Sequence, residues 1–176
     1  MSKRLPNILI TGTPGVGKSF MSYCLTERTE LNWLDVSKLA IELGCAEEYD
    51  EEYKCKVLDE DQLMDHMEEY MSKGGQIVDY HSNEFFPERW FDVVFVLRTN
   101  TTVLYDRLAN RGYSGKKLKD NIECEIFQTA LEEARNSYRE EIVHELQSDT
   151  LPQMTTNLNK ILDWLEQWEL ERELNK

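Results

Sequence analysis

The chain has 176 residues, 40% of them hydrophobic and 31% charged, which suits one domain (1–176) with a core of its own. Its formal net charge is −14, which disfavours direct nucleic-acid binding, and no apolar run approaches membrane-spanning length. The same charge either serves solubility alone or draws in a basic partner.

Cys24, Cys45, Cys55 and Cys124 show no CxxC pairing. They read as reduced packing residues of an intracellular protein rather than a zinc site. The stretch 1–6 carries a little positive charge but runs straight into an apolar strand, so no signal peptide is expected. That strand covers Asn7–Thr11, and its unbroken apolar run predicts burial on both faces.

Gly12-Thr13-Pro14-Gly15-Val16-Gly17-Lys18-Ser19 follows at once, and a helical pattern follows it to about Glu27. Strand, GxxxxGK[ST] and helix in this order are what a phosphate-binding loop requires. Glycines bring backbone N–H groups against phosphate oxygens, and the helix N-terminus faces the anion. Gly15, Gly17, Lys18 and Ser19 are therefore candidate ATP-phosphate residues. Lys18 is expected at the β- and γ-phosphates and Ser19 on Mg²⁺. Phe20 follows where many such loops carry a second hydroxyl, so only its backbone N–H can contribute.

Asn32–Val36 reads as a second strand, and Ser37 as the cap of a short helix to about Gly44. Glu47–Tyr53 is acidic with interleaved tyrosines. It is either a solvated loop or a docking surface for a basic partner. Asp59–Lys73 is a helix with Leu63, Met64, Met67 and Met71 on one side, ended by Gly74-Gly75. The strand Gln76–Asp79 ends in a carboxylate beside the phosphate loop, where Asp79 can hold Mg²⁺ directly or through water. His81 is either structural or orients water and phosphates.

Asp92–Leu97 is the fourth buried strand. Thr101 or Thr102 is expected to cap a helix over Val103–Arg111, which carries Arg107 and Arg111. The glycine-punctuated loop 112–117 has the character of a lid. A long helix is predicted from Asp120 to about Glu141, with Ile122, Ile126, Leu131 and Tyr138 for the core. A fifth strand follows at Ile142–Leu146 and a closing amphipathic helix at Thr155–Leu174. Strands alternating with helices imply an α/β fold with a parallel sheet covered on both faces.

The strings GTPGVGKS, IVDYH, FFPERWFDVVFVLRT, YDRLANRGYSGKKLKDNIECEIFQ and ILDWLEQWE closely resemble the nuclear adenylate kinase family, also called the adenylate kinase isoenzyme 6 family. The resemblance runs nearly end to end. It implies a P-loop NTPase fold of the nucleoside monophosphate kinase type, with a five-stranded parallel sheet and a short lid. It further implies ATP and AMP as substrates, ATPase activity, and a location in nucleus and cytoplasm; a monomer is the expected state. A basic small-subunit ribosomal protein and the pre-ribosome are the implied partners. By motif, Gly15, Gly17, Lys18, Ser19 and Phe20 would hold the ATP phosphates. Lys18, Asp79 and His81 would be catalytic, and Arg111 would lie at the adenine and lid side. Residues 35–58 would form the monophosphate segment and 110–120 the lid. One departure stands out: Ile41 occupies the place of an Arg expected to face the AMP phosphate, with Lys38 or Arg89 as the cations to replace it.

Overall fold

The computed structural model describes residues 4–50 and 55–176. Five parallel strands form the main sheet: β1 (Ile8–Thr11), β2 (Asn32–Asp35), β5 (Gln76–Asp79), β6 (Val93–Arg98) and β7 (Val143–Gln147), in the order β2-β5-β1-β6-β7. β1 lies at its centre, and all four of its residues are buried. That is why its sequence is apolar without alternation. β3 (Ala46–Asp50) and β4 (Cys55–Leu58) pair antiparallel as a separate hairpin. Residues 47–50 of the acidic segment lie on β3, while residues 51–53 and the side chains of the segment lie outside the described residues.

The strands feed two cores by simple alternation. On one face Leu9, Val78, Val94 and Val96 pack with Leu63, Met67 and Met71 of α3 (Glu60–Lys73) and with Leu131 and Ala134 of α6 (Thr129–Ser137). Phe86, Trp90, Phe91 and Tyr138 join this side. On the other face Ile8, Ile10, Phe95 and Leu97 pack with Met21 and Leu25 of α1 (Lys18–Arg28) and Leu104 and Leu108 of α4 (Thr101–Asn110). Ile161 of α7 (Leu151–Leu174) completes it. Burying each of these aliphatic chains stabilises the fold by about 1.5–3 kcal/mol. The sheet is thus fixed from both sides, and the loops at its carboxyl end inherit fixed positions.

Several boundaries differ from the sequence reading, each for a local reason. Asp35, not Ser37, caps α2 (Val36–Glu42), by accepting from the Lys38 N–H at 3.2 Å. The cap of α4 is Asn100, whose side chain accepts from the Thr102 N–H. α7 starts at Leu151, ahead of the expected Thr155. Thr150 and Gln153 form a capping box there, and Pro152 sits in the first turn, where it is tolerated. The long helix expected over 120–141 is broken into α5 (Gly115–Ile126) and α6, with Gln128 at φ 57° between them. The cause is Arg98 at the end of β6. It pairs with the Glu125 carboxylate and donates to the Glu125 carbonyl at 3.1 Å, so a cation occupies the C-terminal end of α5. Ile126 is consequently 56% exposed instead of joining the core.

Candidate functional site

The loop 12–17 leaves β1 and enters α1 at Lys18, so the helix N-terminus opens onto the carboxyl edge of the sheet. Its glycines are required by space as well as by φ. A side chain at Gly12 would meet the Leu97 carbonyl at 2.6 Å, and one at Gly15, whose φ is 91°, would meet Leu108 at 2.9 Å. The loop therefore lies against β6 and α4; its Val16 N–H donates to the Thr13 carbonyl at 3.3 Å, while Gly15 and Gly17 line the space where an anion would meet backbone N–H groups.

A cavity of about 500 Å³ opens in front of it. Its walls include Gly15, Gly17, Lys18, Ser19, Asp79, His81 and Arg111, so the structure brings these sequence-predicted residues together. Lys18 Nζ donates to the carbonyls of Gly12 at 2.8 Å and Thr13 at 3.2 Å. Burial lowers its pKa to about 8 against the opposing pull of Asp79. The ammonium is thus held in the loop, close to losing its proton, until a stronger anion arrives.

Ser19 Oγ donates to Asp79 Oδ2 at 3.2 Å. A hydroxyl and a carboxylate side by side are hard oxygen donors, the set that suits Mg²⁺. Asp79 is 4% exposed, and burial raises its pKa, with Lys18 opposing and Asp35 adding to the rise. A cation at this point would relieve that cost. Asp35 lies directly across from Asp79 in the β2–β5 register and lines the same cavity. The His81 ring packs on Tyr80 with centroids 4.3 Å apart. Burial and then Lys18 lower its pKa, so the imidazole is neutral at pH 7. Its exposed side permits cavity water to moderate that shift.

A second cavity of about 260 Å³ adjoins the first on the α4–α7 side, lined by Gly15, Gly17, Phe20, Arg107, Arg111, Leu151 and Met154. Arg111 lines both cavities. Phe20, 47% exposed, faces the smaller one and not the phosphate cavity. The two expected substitutes for the missing Arg are elsewhere. Arg89 forks onto Glu68 with two bonds of 2.8 Å, and Lys38 lines a separate groove with Trp33 and Glu42. Ile41 is 75% exposed.

The sequence reading gave Arg107 no role. Its guanidinium donates to the carbonyls of Gly15 (3.3 Å), Ser148 (3.0 Å) and Asp149 (2.8 Å) and to Thr99 Oγ1 (3.3 Å). It staples the phosphate loop to the start of α7. Its i, i+4 spacing from Arg111 was the available signal, since that spacing puts both on one helix face. Arg107→Ala is expected to cost about 2–3 kcal/mol, because three backbone carbonyls lose a charged donor. Denaturant unfolding checks this, and an unchanged midpoint would show the staple to be slack. Asp35, Tyr113, Lys117 and Asn121 also line the main cavity without having been singled out.

Residues 8–128 match a family model described as an AAA domain. The chain is 52% identical over 163 residues to a Drosophila melanogaster protein named adenylate kinase isoenzyme 6 homolog, covering 93% of each. A Caenorhabditis elegans protein of the same name is 53% identical, with 92% of this chain and 90% of that protein covered. A Saccharomyces cerevisiae homolog is 42% identical, with 93% and 83% covered. Among solved structures, a gluconokinase from Sinorhizobium meliloti superposes with TM-score 0.63 at 15% identity over 99% of each chain. A shikimate kinase from Bacteroides thetaiotaomicron gives 0.57 at 17%, over 92% of this chain and 98% of that one. These two likenesses establish the P-loop kinase fold.

Proposed function

Because the chain belongs to the adenylate kinase isoenzyme 6 family, we propose that it transfers the terminal phosphoryl group of ATP to AMP, giving two ADP, and that it also hydrolyses ATP. The observation that carries the reading is the single cavity joining the phosphate loop, Lys18, the Ser19–Asp79 pair and Arg111. Loop N–H groups hold the triphosphate. Lys18 exchanges its two carbonyl partners for phosphate oxygens and spreads charge in the transition state. Ser19 and Asp79 would hold Mg²⁺, which when bound neutralises phosphate charge. His81, neutral, orients a water or phosphate oxygen. Arg111, which lines both cavities, would face phosphate in the larger and the adenine side in the smaller. No covalent intermediate is needed, so positioning supplies most of the rate.

A second reading, a nucleotide-gated ATPase of ribosome assembly with incidental monophosphate phosphorylation, is favoured by one observation. Ile41 points outward, and neither Lys38 nor Arg89 enters the phosphate cavity. In either reading we propose a basic small-subunit ribosomal protein as partner and a location in nucleus and cytoplasm. ATP turnover measured while AMP is titrated separates the two. AMP-dependent ADP formation supports the kinase, whereas turnover stimulated only by a basic ribosomal protein supports the gate.

Lys18 also predicts a pH dependence. A triphosphate favours the charged ammonium, whose pKa without nucleotide is about 8. Below that value the proton is already present. Above it, binding must take up a proton, so ATP affinity falls by up to about tenfold per pH unit. Titration calorimetry at pH 7 and pH 9, in two buffers of different ionisation heat, reads both effects. A flat affinity without proton uptake would contradict the assignment.

A further inference from the structure

Three lysines sit close together near the start of α5. Lys116 reaches Asp120 at 3.6 Å and Lys119 reaches Glu123 at 3.8 Å. Lys117 differs from both. It lines the phosphate cavity, its Nζ lies 4.5 Å from the centre of the Tyr113 ring, and no ion pair is seen for it among the described residues. Asn121 donates to the Lys117 carbonyl at 2.7 Å, so the backbone is fixed beneath a long side chain.

The cations available in the cavity are few. Among the described residues lining it they are Lys18, Arg111 and Lys117. Lys18 belongs to the loop floor, and Arg111 is shared with the smaller cavity. Lys117 is the remaining cation of the lining, and it comes from the start of α5 rather than from the loop. An aromatic face is a weak holder of an ammonium compared with phosphate oxygens. The ring keeps the cation in place without an anion and surrenders it when one arrives.

We propose that Lys117 is a catalytic cation: it leaves the Tyr113 ring for the terminal phosphate of the bound triphosphate and faces Lys18 across the phosphoryl group in transfer. This rests on the reading of the cavity as an ATP site. The acceptor oxygen forms a bond to the terminal phosphorus, the bond to the bridging oxygen breaks, and its electron pair stays on ADP. Lys117 keeps its proton throughout and neutralises the moving charge.

The test compares Lys117→Ala, Lys117→Arg and, as a charge-matched control, Lys116→Ala. Kd for ATP and for ADP are measured alongside kcat. Lys117→Ala should weaken ATP roughly tenfold, leave ADP unchanged and lower kcat about 100-fold. Lys117→Arg should recover most of each, and Lys116→Ala should leave all three as they were. An unchanged ratio of ATP to ADP affinity in Lys117→Ala, or an equal loss in Lys116→Ala, overturns the proposal. The ratio is read by binding alone, so it decides on Lys117 even if the parent protein transfers nothing to AMP. A parent protein that binds no ATP overturns the cavity reading itself.

Discussion

Lys18→Ala is expected to reduce ATP turnover at least about 1,000-fold while the protein stays folded, since the lysine supplies charge where the transition state gathers it. Among the described residues its ammonium donates to the Gly12 and Thr13 carbonyls. Removing it forfeits those bonds and an attraction to Asp79, but also removes the cost of burying a charge. The two nearly offset, so stability should change by no more than about 1 kcal/mol. Turnover and thermal unfolding measured on the same preparation check both halves. Activity within tenfold of the parent would remove Lys18 from the mechanism.

Arg111→Ala is expected to weaken ATP binding and lower kcat together, with kcat/KM down roughly 10- to 100-fold, the range for losing a charged hydrogen bond. The reason is position: the side chain lines both the phosphate cavity and the smaller one beside it. The main chain at Arg111 closes α4 through its N–H to the Arg107 and Leu108 carbonyls, and alanine keeps that closure. A fall in activity would therefore report the guanidinium and not a frayed helix. Unchanged kcat and KM would reduce it to a helix-end charge in solvent.

The parts of this molecule legible in the sequence are those fixed by contiguous residues. The phosphate loop is one: strand, glycines and helix start lie within a dozen positions, and each is required by local geometry. Asp79 is another, because a carboxylate ending an apolar strand has only the sheet edge to occupy. What escaped depends on contacts across the chain. Arg89 reads as a free cation until Glu68 is seen beside it, and that pairing is set by how α3 meets the turn at 88–90. The break after α5 has no glycine to announce it. It is imposed by Arg98 from a strand 27 residues earlier than Glu125. Arg107 earns its role from carbonyls of two separate loops, which no local pattern displays. The start of α7 is legible ahead of the expected Thr155: Thr150 and Gln153 spell a capping box, and Pro152 suits the first turn.

The most direct measurement of the central claim follows the terminal phosphoryl group itself. The protein is given ATP labelled on its γ-phosphate, with and without AMP, and the label is located in the products. The account predicts that AMP moves the label into ADP at the expense of inorganic phosphate, and that Lys18→Ala abolishes both products. Label released only as inorganic phosphate, whatever the AMP concentration, would contradict transfer to a monophosphate and leave hydrolysis as the reaction of this cavity.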